Sequence, residues 1–361
     1  AFSSAAATSG NVTSGTQASA TPNDHNVQSP GGDGVSSLTW SPTANFLVSS
    51  NWDGGVRCWE VQEQGNQVRA LPKAQVNHDG QKPVLCTAFS SDGSTVFSGG
   101  GDNAVRMWNL ASGMSNQVST QIGVHNAPVK SVAFLPSSNL IVSGGWDNVL
   151  KFWDGRQSNP VGQLDLPGKC YDLDVRGNMM VVATAGRHIL AYDVSQPAPR
   201  EAVRKESPLK FQSRCVSAFP DQTGFAVGSI EGRVGIQYVQ KVQGKDSFAF
   251  KCHRQDSNVY SVNAIAFNSV YGTFATVGSD GIINFWDKDN KQRLKGFNAL
   301  TKPIPCASFN ARGNLFAYAA SYDWSKGATF HNSSTATNEI YIHYTPEEEI
   351  KAKGKKTSKT R

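Results

Sequence analysis

The hydrophobic pattern of residues 262–288 predicts three short β-strands joined by tight turns. Apolar residues stand at the alternate positions Val262, Ala264 and Ala266, and two further, mostly apolar runs cover 273–277 and 282–286. Turn-forming residues separate the runs, and the third run ends in Trp-Asp. A single meander of this kind leaves its edges and faces uncovered, so it requires further copies to be stable.

Six further copies of this unit occur along the chain, at 35–61, 84–110, 129–154, 170–194, 214–239 and 304–330. Each of the seven units closes on an aromatic residue, and consecutive closing residues are 39 to 49 positions apart: Trp59, Trp108, Trp153, Tyr192, Tyr238, Trp286 and Phe330. This period, with Gly-rich turns and Trp-Asp endings, is typical of WD repeats. The pattern therefore predicts an all-β fold, a single seven-bladed WD-repeat β-propeller with disordered N- and C-terminal tails.

A second regularity predicts a hydrogen-bond chain inside four of the blades. An Asp stands six residues before the closing Trp, in the pairs Asp53 and Trp59, Asp102 and Trp108, Asp147 and Trp153, and Asp280 and Trp286. A hydroxyl residue stands four positions before each Asp: Ser49, Ser98, Ser143 and Thr276. Upstream histidines at 78, 125 and 253 complete a predicted His–Ser/Thr–Asp–Trp chain, since buried polar groups need partners. Units four, five and seven depart from the pattern and are expected to depend more on packing.

The composition at the two ends predicts three segments. Residues 1–24 are rich in Ser, Thr and Ala without apolar periodicity and are expected to be disordered. Residues 25–345 form the propeller, with 25–29 and 339–344 as strands of its closing blade. Residues 346–361 form a basic tail, in which 351–361 carry six Lys or Arg. That tail is either ordinary solvated chain or a segment for nuclear import or RNA contact.

The remaining composition argues against several functional classes. The net charge is +6, no run of 18 apolar residues occurs, and the N-terminus lacks a secretory pattern, so no membrane insertion is expected. Six cysteines are scattered without ligand spacing, which predicts a reducing compartment with neither metal nor cofactor. No GxSxG, HExxH or P-loop pattern is present, and Asp287 and Asp289 are expected to be solvated in a hairpin turn. We therefore expect no enzyme, with a propeller enzyme as the alternative from another class.

Aromatic and basic residues in the turns between the second and third strands predict a partner-binding rim. Trp52, Trp146 and Trp324 stand next to the Asp of such turns, although the closing Trp of each blade comes later. Local packing is the alternative explanation, but exposed Trp and Arg dominate interface energetics. Arg187 and Arg233 occupy matching turns, where a guanidinium could pair with acidic side chains of a peptide.

A second candidate surface combines basic and aromatic residues. The turn after Trp286 carries Lys288, Lys291, Arg293 and Lys295. The segment FAFKCHR at 248–254 adds Phe248, Phe250, Lys251 and Arg254. Stacking platforms with phosphate-neutralising cations suit single-stranded nucleic acid, whereas a solvated charged face is the alternative.

Longer stretches resemble one family. The segments 205–219 (KESPLKFQSRCVSAF), 223–238, 271–289 and 313–327 (GNLFAYAASYDWSKG) are similar to the nuclear mRNA export WD-repeat factors that dock on an FG-repeat nucleoporin. The sister family is the spindle-checkpoint WD-repeat propeller, which shares the SIEGRV-like and TAGR-like segments. The DWSKG turn and the WDKD hairpin resemble the export branch instead.

The resemblance implies two binding sites. An acidic GLEBS-type segment of an FG nucleoporin would cross the top of the propeller at Trp52, Trp146, Arg187 and Arg233. In the export branch, the positions of Phe250, Trp286, Lys288, Lys291 and Arg293 are associated with binding RNA and capturing viral proteins.

The expected function is a non-enzymatic adaptor that tethers single-stranded RNA or mRNP at the nuclear pore complex. Its expected location is the nucleus and nuclear envelope, and partly the cytoplasm by shuttling. The alternative is a checkpoint adaptor that binds spindle or checkpoint proteins, including checkpoint kinases.

Overall fold

The computed structural model describes residues 19–78, 80, 82–110, 119–332 and 336–353. Within these residues, seven four-stranded antiparallel sheets and one two-stranded ribbon form the fold. The predicted seven-bladed, all-β propeller is thereby confirmed. The first strands of all seven sheets line a common central channel, so they are the innermost strands of the blades.

The first six blades follow the chain in order, each with strands that pair one after the other from the inside outwards. The first blade contains β2 (Val35–Trp40), β3 (Phe46–Asn51), β4 (Gly55–Gln64) and β5 (Gln67–Asn77). The second blade contains β6 (Val84–Phe89), β7 (Thr95–Gly100), β8 (Ala104–Asn109) and β9 (Thr120–Val124). The third blade contains β10 (Val129–Leu135), β11 (Leu140–Gly145), β12 (Val149–Trp153) and β13 (Gly162–Asp165). The fourth blade contains β14 (Cys170–Arg176), β15 (Met179–Thr184), β16 (His188–Asp193) and β17 (Arg200–Glu206).

The fifth blade is followed by the short ribbon before the sixth begins. The fifth blade contains β18 (Ser213–Ala218), β19 (Gly224–Ser229), β20 (Arg233–Tyr238) and β21 (Phe248–Lys251). The ribbon consists of β22 (Arg254–Gln255) and β23 (Asn258–Val259). The sixth blade contains β24 (Val262–Phe267), β25 (Phe274–Gly278), β26 (Ile283–Asp287) and β27 (Gln292–Gly296). The seventh blade contains β28 (Ala307–Phe309), β29 (Leu315–Ala320), β30 (Glu339–Tyr344) and the N-terminal β1 (His25–Asn26), and one short helix, α1 (Glu347–Ile350), follows it.

The seventh blade closes the ring with strands from both ends of the described chain. β1 pairs antiparallel with β30, His25 opposite Ile342, so the N-terminal strand covers the outer edge that the last blade would otherwise expose. The third strand of this blade is β30, which corrects the assignment of Phe330 as the seventh closing aromatic. Phe330 lies in a 3-10 turn and is 69% exposed, because a long connection at 321–338 separates β29 from β30.

Two blades contain the hydrogen-bond chain in full. In the third blade, the His125 ring lies 3.0 Å from the Asp147 carboxylate and 2.7 Å from Ser143 Oγ, which also accepts a 2.7 Å bond from the Trp153 indole. In the sixth, His253 contacts Asp280 at 2.8 Å and Thr276 at 3.0 Å, and the Trp286 indole donates to Thr276 Oγ1 at 2.9 Å. Each of these hydrogen-bond chains joins the connection that precedes the blade's first strand to the second and third strands.

The other two predicted chains differ from the pattern. In the second blade His78 contacts Asp102 and Ser98, but the Trp108 indole nitrogen finds no acceptor among the described residues. In the first blade the Trp59 indole donates to the Gln28 carbonyl, and Ser49 donates to Asn51. Asp53 pairs with Arg57 and accepts from the Gly32 amide. The chain segment that closes the ring thus provides the partners of the first blade.

Both ends of the propeller are longer than the sequence predicts. Ala20 is buried and its amide donates to the Tyr318 hydroxyl, so residues 19–24 are packed and not disordered. At the other end, α1 packs its fully buried Ile350 into the same apolar cluster of the sixth and seventh blades. The basic tail therefore begins after 350 instead of at 346. Residues 1–18 and 354–361 lie outside the described part of the chain.

His343 connects the two packed ends. Its ring contacts Asp24 at 2.7 Å on one nitrogen and Glu349 at 2.9 Å on the other. The Tyr318 hydroxyl donates to the second Asp24 oxygen at 2.6 Å. Burial alone would lower the pKa of His343, but the bonds to the two carboxylates outweigh it and raise the pKa to about 9. We call Asp24, His343 and Glu349 the terminal clasp.

The hydrogen-bond chains generate a prediction about stability. We expect Ser143→Ala to destabilise the propeller by about 2 kcal/mol and Ser98→Ala by about 1 kcal/mol, because Ser143 serves two buried partners and Ser98 serves one. Urea unfolding of both variants and the parent would measure the difference. Equal losses would show that the indole bond of the third blade contributes nothing.

The terminal clasp generates a prediction about pH. Because the folded pKa of His343, about 9, lies above its ordinary value of 6.5, its stabilisation is complete below about pH 6.5 and is lost as the pH rises to about 9. We expect His343→Gln to lower the melting temperature at pH 6.5 and this deficit to shrink by pH 9.5. His188→Gln, at a histidine outside the clasp, is the control. A deficit that stays constant with pH would contradict a protonated clasp.

Candidate functional site

The five predicted rim residues lie on one face of the propeller. Each occupies the turn between the second and third strands of its blade or the first position after it. Because all seven blades have the same strand order, these turns point to the same side, which we call the upper face. The connections between the third and fourth strands point to the opposite, lower face.

Two of the three rim tryptophans meet at the junction of the first and seventh blades. The ring centroids of Trp52 and Trp324 are 4.4 Å apart, and Trp324 also contacts Tyr322 and His331. Trp324 adopts a positive φ of 63°, an uncommon backbone conformation for a bulky residue. Its indole nitrogen has no hydrogen-bond acceptor among the residues the structure describes. The third tryptophan, Trp146, is separate and exposed, with Lys169 Nζ 6.0 Å from its ring centre.

The Arg187 side chain forms hydrogen bonds within the propeller and is also partly exposed at its surface. Its guanidinium donates to the Leu209 carbonyl at 3.0 Å and to Glu206 at 3.1 Å. Its own carbonyl accepts from the Ser207 amide. These bonds hold the connection between the fourth and fifth blades, while the guanidinium remains partly accessible at the upper face.

Arg233 lies beside a carboxylate of the same turn. Its Nε is 3.5 Å from the nearly buried Glu231 Oε2, and Arg254 Nη2 is 3.6 Å from the same oxygen. Arg254 additionally donates to the Glu231 backbone carbonyl at 2.9 Å. One carboxylate thus faces two guanidinium groups, which leaves this corner of the upper face with excess positive charge.

Two apolar residues beside this corner were missed by the sequence reasoning. Phe211 is 54% exposed and Ile230 is 42% exposed. The two loops that carry them are joined by a 3.1 Å bond from the Ile230 amide to the Gln212 carbonyl. A large apolar residue in a polar turn, as in PLKFQSR and SIEGR, is the signal that could have found them.

The predicted stacking residues of the second surface are buried. Phe250 and Trp286 are each 5% exposed and pack against one another with a centroid distance of 4.8 Å. Phe274 completes the cluster with Phe250. In this structure neither ring offers a face to a nucleotide, which corrects the expectation that they are stacking platforms. Both point into the core between the fifth and sixth blades.

Lys288 is also buried, at 3% exposure, and is therefore not a surface cation. Its ammonium group lies 4.9 Å from the Phe219 ring centre and 3.1 Å from Asp289. Burial alone would raise the pKa of Asp289, but the ammonium groups of Lys245 and Lys288 hold it below its ordinary value. Asp287 differs from the expected solvated carboxylate as well. It is buried and accepts from the amides of the following turn.

We call four accessible residues on or beside the outer strands of the fifth and sixth blades the basic edge: Phe248, Lys251, Lys291 and Arg293. Lys251 lies opposite Arg233 in the register of β20 and β21. Lys251 and Arg293 are exposed, and Lys291 Nζ lies 4.8 Å from the centre of the partly exposed Phe248 ring. Lys291 adopts a positive φ of 52° in the hairpin turn before β27. Of the two phenylalanines that the sequence analysis assigned to this surface, Phe248 is thus the accessible one and Phe250 is buried.

The described residues hold neither a metal-ligand cluster of His, Cys, Asp and Glu nor a helix long and apolar enough to span a membrane. The six cysteines are free thiols. Burial raises the pKa of Cys58 and Cys86 to about 12, which makes these thiols poor nucleophiles.

Comparison with known proteins gives two findings. The family model described as WD domain, G-beta repeat, matches residues 24–60, 72–109, 116–154 and 244–287. The chain is 54% identical over 321 residues to Protein RAE1 of Arabidopsis thaliana, covering 89% of this chain and 90% of that protein. It is 46% identical over 350 residues to the mRNA export factor of Xenopus tropicalis, covering 92% of each. The mRNA export factor of Pongo abelii is 46% identical over 374 aligned positions, covering 97% of this chain and 98% of that protein.

Proposed function

The chain belongs to the family of WD-repeat proteins named mRNA export factor, and we propose that it is a non-enzymatic adaptor that joins RNA to a nucleoporin during export. The relatives support the role in mRNA export and hence in transport between nucleus and cytoplasm. The observation that carries the adaptor proposal is that cations lie at both ends of the propeller, with Arg187 and Arg233 on the upper face and Lys291 in a hairpin on the lower face. A rigid ring can hold two ligands at the same time without bringing them into contact.

The proposed ligand of the upper face is an extended acidic segment of the GLEBS type from an FG nucleoporin. Arg187, Arg233 and Arg254 provide accessible or partly accessible guanidinium groups, which pair well with carboxylates. The exposed Trp146, Phe211 and Ile230 add apolar area around these charges. Charges that steer a peptide and apolar residues that anchor it are the usual elements of such an interface. Trp52 and Trp324 would form the rim at the first and seventh blades.

The proposed ligand of the basic edge is single-stranded RNA within an mRNP. Lys251, Lys291 and Arg293 can neutralise phosphates, and Phe248 offers part of a ring for base stacking. Binding would have little sequence preference, because the edge offers charge and an aromatic face without a set of base-reading groups. Phe250, Trp286 and Lys288 would support this edge from inside the core.

The proposed location is the nuclear pore complex, with shuttling between nucleus and cytoplasm. The alternative of a spindle-checkpoint adaptor shares the same upper face. The names of the relatives compared above favour export over the checkpoint role.

The upper-face proposal predicts the effect of one charge reversal. We expect Arg233→Glu to weaken binding of an acidic GLEBS-type peptide by at least about 30-fold, or about 2 kcal/mol, because a like charge then faces the ligand beside Glu231. Isothermal titration calorimetry would measure the affinity. Arg156→Glu is the matched control, since it makes the same charge change at an exposed position after β12 on the lower face. Undiminished affinity in Arg233→Glu would remove Arg233 from the peptide site.

The RNA proposal predicts a change in salt dependence. We expect the double variant Lys291→Glu/Arg293→Glu to bind single-stranded RNA about 10- to 100-fold more weakly, and the slope of log affinity against log salt to fall by about 2. Fluorescence anisotropy with oligouridylate at several salt concentrations would measure both. The control is Arg156→Glu/Arg200→Glu, which reverses two exposed charges on the third and fourth blades. Equal effects of the two double variants would mean that only net charge matters.

A further inference from the structure

The N-terminal segment that closes the ring, residues 19–34, carries both accessible Ser-Pro or Thr-Pro dipeptides of the chain. The sequence contains five such dipeptides, with the hydroxyl residues Thr21, Ser29, Ser41, Ser207 and Thr345. Ser41, Ser207 and Thr345 are buried in the propeller. Thr21 is half-buried and Ser29 is exposed. Proline-directed protein kinases recognise a Ser or Thr followed directly by Pro, which lacks an amide N–H and favours an extended residue before it. Only the two dipeptides of this segment are therefore open to such a kinase.

The Thr21 hydroxyl is part of the hydrogen bonding around the terminal clasp. It donates to Asp24 Oδ1 at 2.5 Å, the same oxygen that His343 Nδ1 contacts at 2.7 Å. The Thr21 amide donates to Asp24 Oδ2 at 3.1 Å, and the Tyr318 hydroxyl donates to that oxygen at 2.6 Å. The carboxylate that closes the turn after Thr21 therefore also anchors the segment on the seventh blade.

The charges around Asp24 are already balanced. In the part of the chain that the structure describes, the only cationic side chain in contact with Asp24 is His343, which is protonated at neutral pH. The same ring contacts Glu349, and Lys295 lies 3.0 Å from Glu349. Two carboxylates thus face two cations. A phosphate on Thr21 would add about −1.5 to −2 charges at pH 7 against the buried Asp24 and would remove the hydroxyl donor.

Residues 19–24 can leave this position without unfolding a blade. Among the described residues, their only bond between two backbone groups runs from the Asp24 amide to the Thr21 carbonyl at 3.3 Å, while the Ala20 amide donates to the Tyr318 side chain. β1 is held differently, because it pairs with β30 and the Val27 amide after it donates to a carbonyl of the same strand. Segments with few backbone bonds open locally before paired strands do. Thr21 can therefore reach a kinase while β1 stays in the seventh blade.

We propose that Thr21 is a phosphorylation site for a proline-directed protein kinase, and that the phosphate releases residues 19–24 from the propeller. The kinase transfers the γ-phosphoryl group of ATP. A bond forms between Thr21 Oγ1 and the γ-phosphorus, the bond from that phosphorus to the bridging oxygen breaks, ADP leaves, and the hydroxyl proton passes to a base of the kinase. The phosphate then repels Asp24, and the segment loses its bonds to Tyr318 and His343. The modification loosens the junction of the sixth and seventh blades while the ring stays closed through β1.

The first part of the test asks whether Thr21 is modified. The folded full chain would be incubated with a cyclin-dependent kinase and ATP, and the phosphorylated residues located by mass spectrometry. We expect phosphate on Thr21 in the parent and at least about 10-fold less in Pro22→Ala, which keeps the hydroxyl and removes the dipeptide. Absence of phosphate from Thr21 while Ser29 is modified would overturn the assignment, because the kinase would then be active and able to reach the segment.

The second part asks whether the phosphate releases the segment. We expect amide hydrogen exchange of residues 20–24 to become at least about 10-fold faster in the phosphorylated protein, while the amides of β1 and Val27 stay protected. The melting temperature reports whether the propeller remains folded. Unchanged or slower exchange of 20–24 would show that the cluster accommodates the phosphate, and the proposed release would be wrong.

Two variants separate repulsion from the loss of a hydrogen bond. Thr21→Val removes the bond to Asp24 without adding charge, so we expect a smaller rise in exchange than phosphorylation gives. Ser29→Glu adds a negative charge in the same segment, at a hydroxyl that makes no hydrogen bond to the described residues, and should leave exchange of 20–24 as in the parent. Equal rises in Thr21→Val and in the phosphorylated protein would contradict release by charge repulsion.

Discussion

The structure depends on closing the ring. A blade has apolar faces that only its two neighbours can cover, so an open row of blades would leave two faces and two sheet edges exposed. The short β1 removes this problem by pairing with β30, and the segment after it accepts the Trp59 indole bond of the first blade. Residues 19–24 and α1 pack at the next junction, between the sixth and seventh blades, through one apolar cluster and the terminal clasp. A second apolar cluster, which includes Val35, Trp59, Leu315 and Ile340, packs the first and last blades directly against each other.

In the closed ring, the side chains that stabilise the blades differ from those that are accessible to a ligand. The closing Trp and its hydrogen-bond chain lie inside a blade, where packing restricts their identity. In the turns on the upper face, the Asp of the hydrogen-bond chain is restricted in the same way, whereas exposed neighbours such as Trp146 take no part in that chain. Trp146, Phe211 and Ile230 are exposed there without a local packing role that requires their size.

Both candidate surfaces contain carboxylates that hold their cations in position. Glu231 faces Arg233 and Arg254 on the upper face, and Asp289 faces Lys245 and Lys288 below the basic edge. Such partners hold the cations in place before a ligand arrives and lower the net charge that the ligand meets. The acidic peptide proposed above would therefore compete with Glu231 for the guanidinium groups, which would favour a ligand of matching shape over other anionic chains. At the basic edge, Lys251 and Arg293 are exposed, so the shape of a ligand would be less restricted there than on the upper face. Such an edge suits a ligand of uniform charge.

The sequence by itself determined the repeating architecture, because strand periodicity, turn residues and the Asp-to-Trp spacing are local properties of each unit. It likewise identified the turn positions of Trp52, Trp146, Arg187 and Arg233, since a turn can be recognised from its own residues. Only the tertiary structure decided which side chains are accessible. Phe250, Trp286 and Lys288 belong to a basic, aromatic stretch in the sequence, yet contact with the neighbouring blade buries all three. The position of Phe330 agrees with the spacing of the closing aromatic residues, yet the third strand of its blade begins nine residues later at Glu339. The docking of α1 also depends on a cluster assembled from two blades, and no local pattern in the sequence reports such a contact.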